Sequence, residues 1–330
     1  FACLLLALAL LAPCAARGEL MDAALETAPP IPLLCESAVL VEPESGQILF
    51  EQTADERRPV ASVTKVMAIL LALEALEAGR ATLEDPVPVS QTAAGMGGSQ
   101  VLLDAGETLP FETLLKSMIV GSANDATVAI GEYLYGSHQL FVDRMTERAQ
   151  ELGMADTHFV NSTGLPAEGH YTTARDVARM TVEMLKHPLY FDYSTIWLDS
   201  VIHESGRETQ LTNTNRLIRL YDGCDGGKTG STSEAGYCLS ATAERGGMRL
   251  IAVVLGAQSS TARFDTAASM FDYGFANYRL YPVARSGAKI RGEMPVEGGN
   301  LPSIALMLQG DLTLLMKKGG EQAEEPVPSL

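Results

Sequence analysis

Positive charge is scarce in this chain. Its 330 residues include 24 Lys and Arg against 41 Asp and Glu, a net charge of −17. Binding nucleic acid requires a basic face that neutralises phosphates, so that class of partner is excluded. No G-x-x-x-x-G-K-[ST] string is present to cradle a nucleotide phosphate. His occurs five times, and no His, Cys and carboxylate residues stand at metal-ligand spacing. The sequence therefore predicts neither a metal nor a cofactor. Cysteine is also sparse: Cys3, Cys14, Cys35, Cys224 and Cys238, with no C-x-x-C pair. That pattern excludes a disulfide framework and a zinc site. Cys35, Cys224 and Cys238 read as buried free thiols, with a Cys224–Cys238 bridge as the alternative.

The apolar stretch Leu4 to Leu11 is too short to span a bilayer and has signal-peptide length. The small residues Cys14, Ala15 and Ala16 follow it, so residues 1–16 are expected to be part of a signal peptide cleaved near Ala16. Pro13 argues against lipid attachment at Cys14. An exported protein follows, at the outer face of the cytoplasmic membrane, in the periplasm or in the cell wall. Residues 17–34, rich in Ala and Pro, read as a linker.

From residue 35 the chain has the texture of a folded domain. "SAVLVEPESGQILFEQ" (37–52) reads as strand, turn, strand. A helix opens near Ser62 and stops at Gly79. The middle of the chain is mostly helical. "AGYCLSATAERGGMRLIAVVLGA" (235–257) reads as a hairpin turning at Arg245 to Gly247, and 263–278 as a closing helix. Strands at both ends with helices between predict an α+β fold, an antiparallel sheet built from both chain ends and covered by helices. This domain is assigned to 35–282. Residues 283–330 bring short strands and Gly turns and read as the start of a small β-rich domain, ending after "EEPVPSL" with too few residues for a full sandwich.

The chemistry begins at "ASVTKVM", where Ser62 precedes Lys65 by three residues. On a helix that spacing puts both side chains on one face. A serine hydroxyl is a weak nucleophile until a neighbour takes its proton. Lysine can do so if burial disfavours its ammonium form, and Val63, Val66, Met67, Ile69 and Leu70 supply the apolar surroundings. S-x-x-K alone is weak evidence, since "SGAK" at Ser286 to Lys289 also matches. Two further stretches strengthen it. "GSANDA" places Ser122 and Asn124 at a helix–loop–helix junction, and "DGGKTGSTSEAGY" places Lys228, Thr229 and Gly230 at a strand. Each could be bland alone, an N-cap or a turn. In this order the three stretches resemble the S-x-x-K, S-D-N and K-T-G motif set of penicillin-binding proteins and class A β-lactamases, with S-A-N here in place of S-D-N, a departure that leans away from the β-lactamases.

Residues 33 to about 280 resemble the low-molecular-mass penicillin-binding proteins, the serine-type D-alanyl-D-alanine carboxypeptidases of peptidase family S11. "ASVTKVM", "GSANDA", "HYTTARDVA", "DGGKTGSTSEAGYCL" and "RLIAVVLGA" carry the resemblance. It implies a β-lactamase/transpeptidase-like domain that removes the terminal D-alanine from peptidoglycan pentapeptide stems. β-Lactam antibiotics would be its covalent inhibitors. It further implies that Ser62 is acylated and Lys65 is its base. Ser122 relays a proton to the leaving amine, and Asn124 orients the substrate amide. Lys228 and Thr229 bind the terminal carboxylate. Gly230 lets the substrate strand lie against the sheet edge, and the N–H groups of Ser62 and Ser231 form the oxyanion hole. Family members continue to an amphipathic anchor helix. None is legible here, so peripheral membrane contact would need a C-terminal segment outside this sequence. The alternatives are a class A-like β-lactamase, whose E-x-x-L-N string does not occur, and a penicillin-binding sensor that does not turn over. His170 reads as a structural loop histidine. Arg175 and Asp176 read as an ion pair or cap, and Glu168 as a loop carboxylate whose surroundings do not match those of a deacylating base.

Overall fold

The structure is a computed structural model that describes residues 24–26, 28–296, 298 and 301–319. The expected signal peptide 1–16, with Cys3 and Cys14, lies outside the described residues, as does the start of the expected linker. The chain opens with strands β1 (Ser37–Glu42) and β2 (Gln47–Gln52), then a 3-10 turn (Ala61–Thr64) that runs into helix α1 (Lys65–Glu77). A small hairpin of β3 (Pro86–Pro88) and β4 (Thr108–Pro110) flanks the short α2 (Gln91–Ala94). Helices α3 (Phe111–Val120), α4 (Asn124–Tyr135), α5 (His138–Glu151), α6 (Ala174–Met184) and α7 (Leu189–Ser194) follow. After a second hairpin, β5 (Leu198–Ile202) and β6 (Glu208–Thr212), comes α8 (Leu217–Leu220). Strands β7 (Cys224–Thr232), β8 (Gly236–Arg245) and β9 (Met248–Ala257) then lead to helix α9 (Ser260–Asn277). The last elements are β10 (Tyr278–Ala284), β11 (Lys289–Pro295), β12 (Ser303–Met307) and β13 (Leu312–Lys317).

The main sheet has the order β2-β1-β9-β8-β7, with every neighbour antiparallel. The N-terminal hairpin thus joins the C-terminal one through β1 and β9, and β7 is left as an edge. Strand alternation separates two cores. Val39, Val41, Ile251, Val253 and Leu255 face the helices of the chain's middle. Ala38, Leu40, Leu250, Ala252 and Val254 face Phe264, Met270 and Phe271 on α9.

Helix α1 lies inside the first core. Residues 65–73 and Ala75 are all buried, which is why "KVMAILLALEA" has no polar face. The helix stops where Gly79 adopts φ +66°, the left-handed conformation that a C′ glycine provides. Between β8 and β9, Gly246 and Gly247 both have positive φ, as a two-residue hairpin whose turn matches the strand twist requires.

Two expectations need adjusting. Part of the expected 17–34 linker is docked: Leu25 and Glu26 donate their N–H groups to the carbonyls of Ile48 and Leu49 on β2, satisfying backbone groups along the open edge of the sheet. Strand β10 follows α9 directly, pairs with β13 and runs across the expected division at 282/283. The free-thiol reading holds, with Cys35 only half-buried, and the alternative Cys224–Cys238 bridge does not form. In the β7–β8 register Cys224 faces Ala243 while Cys238 faces Gly230, and Cys35, Cys224 and Cys238 are all free.

Candidate active site

Ser62 sits in the 3-10 turn, and Lys65 is the first residue of α1. A continuous α-helix from Ser62 is the sequence expectation. The observed turn has three residues per revolution, so residues i and i+3 eclipse and the two side chains line up more directly. Lys65 Nζ lies 3.0 Å from Ser62 Oγ and donates to the Thr163 carbonyl at 2.8 Å. Lys65 is fully buried while Ser62 is half-buried. Burial, then the neighbouring charge of Lys228, pushes the Lys65 ammonium well below its ordinary 10.5, with Asp125 opposing the shift.

Ser122 lies in the break between α3 and α4 with φ +60°, and Ala61, just before Ser62, has φ +48°. For residues other than glycine this conformation is strained, and two of the four such residues among those described, the others being Thr53 and Leu102, flank the same chemistry. Ser122 Oγ accepts a hydrogen bond of 2.7 Å from Lys228 Nζ, which also donates to the Thr229 carbonyl at 2.9 Å. Lys228 is 1 % exposed. Burial, aided by the charge of Arg263, lowers its pKa to about 7. Asn124 opens α4, with its Nδ2 donating to the Gly97 carbonyl at 2.6 Å. Its Oδ1 is buried and has no partner, an acceptor awaiting a donor.

Thr229, Gly230 and Ser231 continue β7 along the open edge, Ser231 being exposed. Gly230 also answers to a packing requirement within the protein. A Cβ there would come 2.6 Å from the Val60 carbonyl oxygen and 2.8 Å from the Ser62 nitrogen. The missing side chain lets β7 press against the turn that carries Ser62. The structure thus brings the S-x-x-K turn, the α3–α4 break and β7 together around two coupled pairs, Ser62–Lys65 and Ser122–Lys228. Ser286, in the second S-x-x-K string, joins neither pair: its N–H donates to Asp311 and its hydroxyl to the Gln309 carbonyl.

A family model described as D-alanyl-D-alanine carboxypeptidase matches residues 24–259. The chain belongs to the D-alanyl-D-alanine carboxypeptidase family. It is 40 % identical over 284 residues to the carboxypeptidase DacF of Bacillus subtilis strain 168, covering 86 % of this chain and 73 % of DacF. It is 32 % identical over 293 residues to DacA of Escherichia coli K12, covering 86 % of this chain and 71 % of that one. In three dimensions it is similar to penicillin-binding protein 5 of Haemophilus influenzae, with a TM-score of 0.81, 28 % identity and coverage of 91 % and 90 % of the two chains. It is also similar to a serine-to-alanine variant of the Streptomyces K15 DD-transpeptidase, with a TM-score of 0.70 at 26 % identity, covering 74 % of this chain and 99 % of that one. These likenesses, with the antiparallel sheet and its covering helices, give the family's β-lactamase/transpeptidase-like α+β fold.

Several parts of the family member's site are not legible from its motifs. The Thr163 carbonyl that holds Lys65 belongs to a loop closed by Asn161, whose Oδ1 accepts from the N–H groups of Thr163 and Gly164. Gly164 has φ +80°, and a Cβ there would lie 1.8 Å from the Ala61 carbonyl. The one available signal was "NSTG", an Asx-turn sequence. Asp125 accepts from the N–H groups of Val101 and Leu103 and so fixes the segment beside Asn124. Arg263 on α9 donates to the carbonyls of Gly230 and Cys238, bringing a second cation near Lys228.

Of the other residues weighed in the sequence, Arg175 pairs with Glu51 and Asp55 rather than with Asp176. Asp176 instead accepts from Thr157 and Arg179. Glu168 is exposed and lines a cavity of about 580 Å³ with Arg57, Arg58, Tyr171 and Glu234; Ser62, Lys65, Ser122 and Lys228 do not line it. One cluster contradicts the absence of metal-ligand groupings in the sequence: Asp104, Glu107 and His203 place ligand atoms within 4.8 Å of one another. Folding brings together residues about a hundred positions apart. The cluster already holds a cation, because Arg207 donates to Asp104 at 3.1 Å while His203 contacts Glu107.

Proposed function

We propose that this chain is a serine-type D-alanyl-D-alanine carboxypeptidase that releases the terminal D-alanine of peptidoglycan pentapeptide stems through an acyl-enzyme on Ser62. Family membership supports the reaction. The observation that carries the mechanism is the 3.0 Å approach of a fully buried Lys65 to Ser62 Oγ. A neutral amine that donates to the Thr163 carbonyl keeps its lone pair for the serine proton. Lys65 then acts as general base while Ser62 Oγ attacks the scissile carbonyl, and the N–H groups of Ser62 and Ser231 receive the developing oxyanion.

Ser122, bonded to Lys228, passes a proton to the departing D-alanine amine. The free Oδ1 of Asn124 accepts from a substrate peptide N–H. Lys228 and Thr229 bind the terminal carboxylate, a small anion that a locally cationic site can hold in an otherwise acidic chain. Gly230 contributes by letting β7 reach the Ser62 turn. Water then cleaves the ester, and no metal or cofactor enters the scheme. A β-lactam would acylate the same serine, and the stem peptide places the protein outside the cytoplasmic membrane. No helix among the described residues is long and apolar enough to cross a membrane.

Mass spectrometry of the protein after incubation with penicillin, together with a steady-state assay of D-alanine release, tests this reading. The adduct is expected on Ser62, and Ser62→Ala should abolish it. Lys65→Ala should slow acylation about 10²–10⁴-fold, the usual cost of losing a positioned base. An adduct on Ser122 or Ser286 would overturn the assignment. Acylation without release of D-alanine would favour a sensor, and penicillin turnover as fast as D-alanine release a β-lactamase.

A further inference from the structure

We propose that His170 is a positioning residue for acylation: through Thr64 it pins the loop whose Thr163 carbonyl holds Lys65 in line with Ser62. The proposal rests on the acyl-enzyme reading above.

His170 is buried, and both ring nitrogens are committed. Nδ1 accepts the Val160 N–H at 3.1 Å. That nitrogen must therefore carry a lone pair, so the proton resides on Nε2, which lies 2.8 Å from Thr64 Oγ1 and donates to it. Burial, and secondarily the charge of His158, lowers the His170 pKa to about 4. The ring therefore keeps this one neutral tautomer across the working range and is not itself a proton carrier.

Thr64 is fully buried, ends the 3-10 turn and immediately precedes Lys65. On the other side of the link, residues 158–171 form a loop closed at its base by the backbone pairing of His158 with Tyr171. Asn161 closes its middle with bonds to Thr163, Gly164 and Leu165. The loop is thus rigid in itself and touches the nucleophile turn at two named places, Gly164 against Ala61 and His170 on Thr64. Lys65 Nζ divides its hydrogen bonds between Ser62 Oγ and the Thr163 carbonyl. The direction of the lysine nitrogen therefore depends on where the loop sits. Without the Thr64 link the loop keeps its internal bonds and loses its register on α1.

The test compares Thr64→Val, His170→Asn, His170→Gln and the double variant Thr64→Val/His170→Asn in the full chain. Valine keeps the shape of threonine and deletes the hydroxyl. Asparagine can still accept from Val160 but is too short to reach Thr64, while glutamine can reach and donate. The readout is the rate of penicillin acylation at Ser62 as a function of pH, per folded protein by thermal melt. We expect Thr64→Val and His170→Asn each to slow the plateau rate about tenfold or more, since a misplacement of the order of 1 Å can cost 10²-fold.

The acid limb of the profile should move to lower pH, because the Lys65 ammonium loses its Thr163 acceptor. Its charged neighbours Lys228 and Asp125 are left untouched by these substitutions. The double variant should be no slower than the slower single one, and His170→Gln should recover most of the rate. Profiles of Thr64→Val and His170→Asn that superimpose on wild type, or losses that multiply in the double variant, would overturn the role of His170 and leave the acyl-enzyme reading standing. A wild-type chain that takes no acyl group on Ser62 would overturn both.

Discussion

Gly230→Ala should damage catalysis far more than a methyl group at the rim of a site would suggest. The new Cβ would lie 2.8 Å from the Ser62 nitrogen, 2.9 Å from the Val63 nitrogen and 2.6 Å from the Val60 carbonyl. These are backbone atoms, which cannot rotate away. Reaching an ordinary contact of 3.4 Å requires the Ser62 amide and β7 to separate by about 0.6 Å. Overpacking of this kind costs about 1–3 kcal/mol of stability.

The catalytic consequence is larger, because the N–H of Ser62 is one of the two proposed oxyanion donors. Such donors act over a narrow range of about 2.7–3.1 Å, and losing one costs about 10²–10³-fold in rate. Stopped-flow acylation with a fluorescent penicillin, at temperatures below both melting points, measures the rate. Differential scanning calorimetry measures the stability loss. Gly136→Ala is the control: Gly136 has φ +83° and open space around its Cβ position. That variant should lose about 1–2 kcal/mol to backbone strain alone with an unchanged acylation rate. Folded Gly230→Ala protein that acylates within about threefold of wild type would refute the oxyanion argument built on this strand–turn contact.

Three further outcomes are expected. The folded pKa of Lys228, about 7, lies below its ordinary 10.5, so between those pH values the unfolded chain binds more protons and native stability rises with pH; Lys228→Met should therefore raise Tm most at or below about pH 7, with the gain shrinking towards about pH 10, and a pH-independent difference in calorimetry would count against a buried ammonium. EDTA should leave D-alanine release unchanged, because Arg207 is the cation at Asp104 in the Asp104–Glu107–His203 cluster; activity lost in EDTA and restored by zinc would contradict the serine mechanism. Glu168→Gln should not change the decay of the penicilloyl-enzyme, since Glu168 is exposed in a cavity that the catalytic residues do not line; that species should outlive the peptide acyl-enzyme because the opened drug stays tethered where water must enter, and timed release of the label checks both points.

Local chemistry made a large part of this protein readable. Short, mostly apolar runs bounded by turn residues in 37–52 and 235–257 located β1, β2, β8 and β9 almost residue for residue, because a strand buried on both faces reads as a continuous apolar run between turns. Gly79 marked the end of α1, since only a left-handed residue closes a helix there at little cost. The short hairpins β3–β4 and β5–β6 were not read, as three- and five-residue strands carry too few alternations. Ser62 and Lys65 were legible as a pair because three residues of chain fix their separation whatever the rest of the fold does.

Other features belong to distant segments and had no such local signature. Lys228 reaches Ser122 across 106 positions, and the Thr163 carbonyl reaches Lys65 across 98. The motifs named those residues or their neighbourhood, while only the packing of the α3–α4 break, the 158–171 loop and β7 around α1 set who bonds to whom. Burial likewise belongs to the assembled molecule. An apolar string suggests that Lys65 is dehydrated, but its lowered pKa also depends on Lys228 beside it and Asp125 opposite, charges supplied by β7 and α4. The packing of Gly230 against the Ser62 turn was invisible in the sequence for the same reason. The sequence alone determined which residues could do the chemistry, because identity and short spacing are covalent facts. The tertiary structure decided which atoms meet, because contact distances, desolvation and the field of one buried charge on another exist only once the chain has closed on itself.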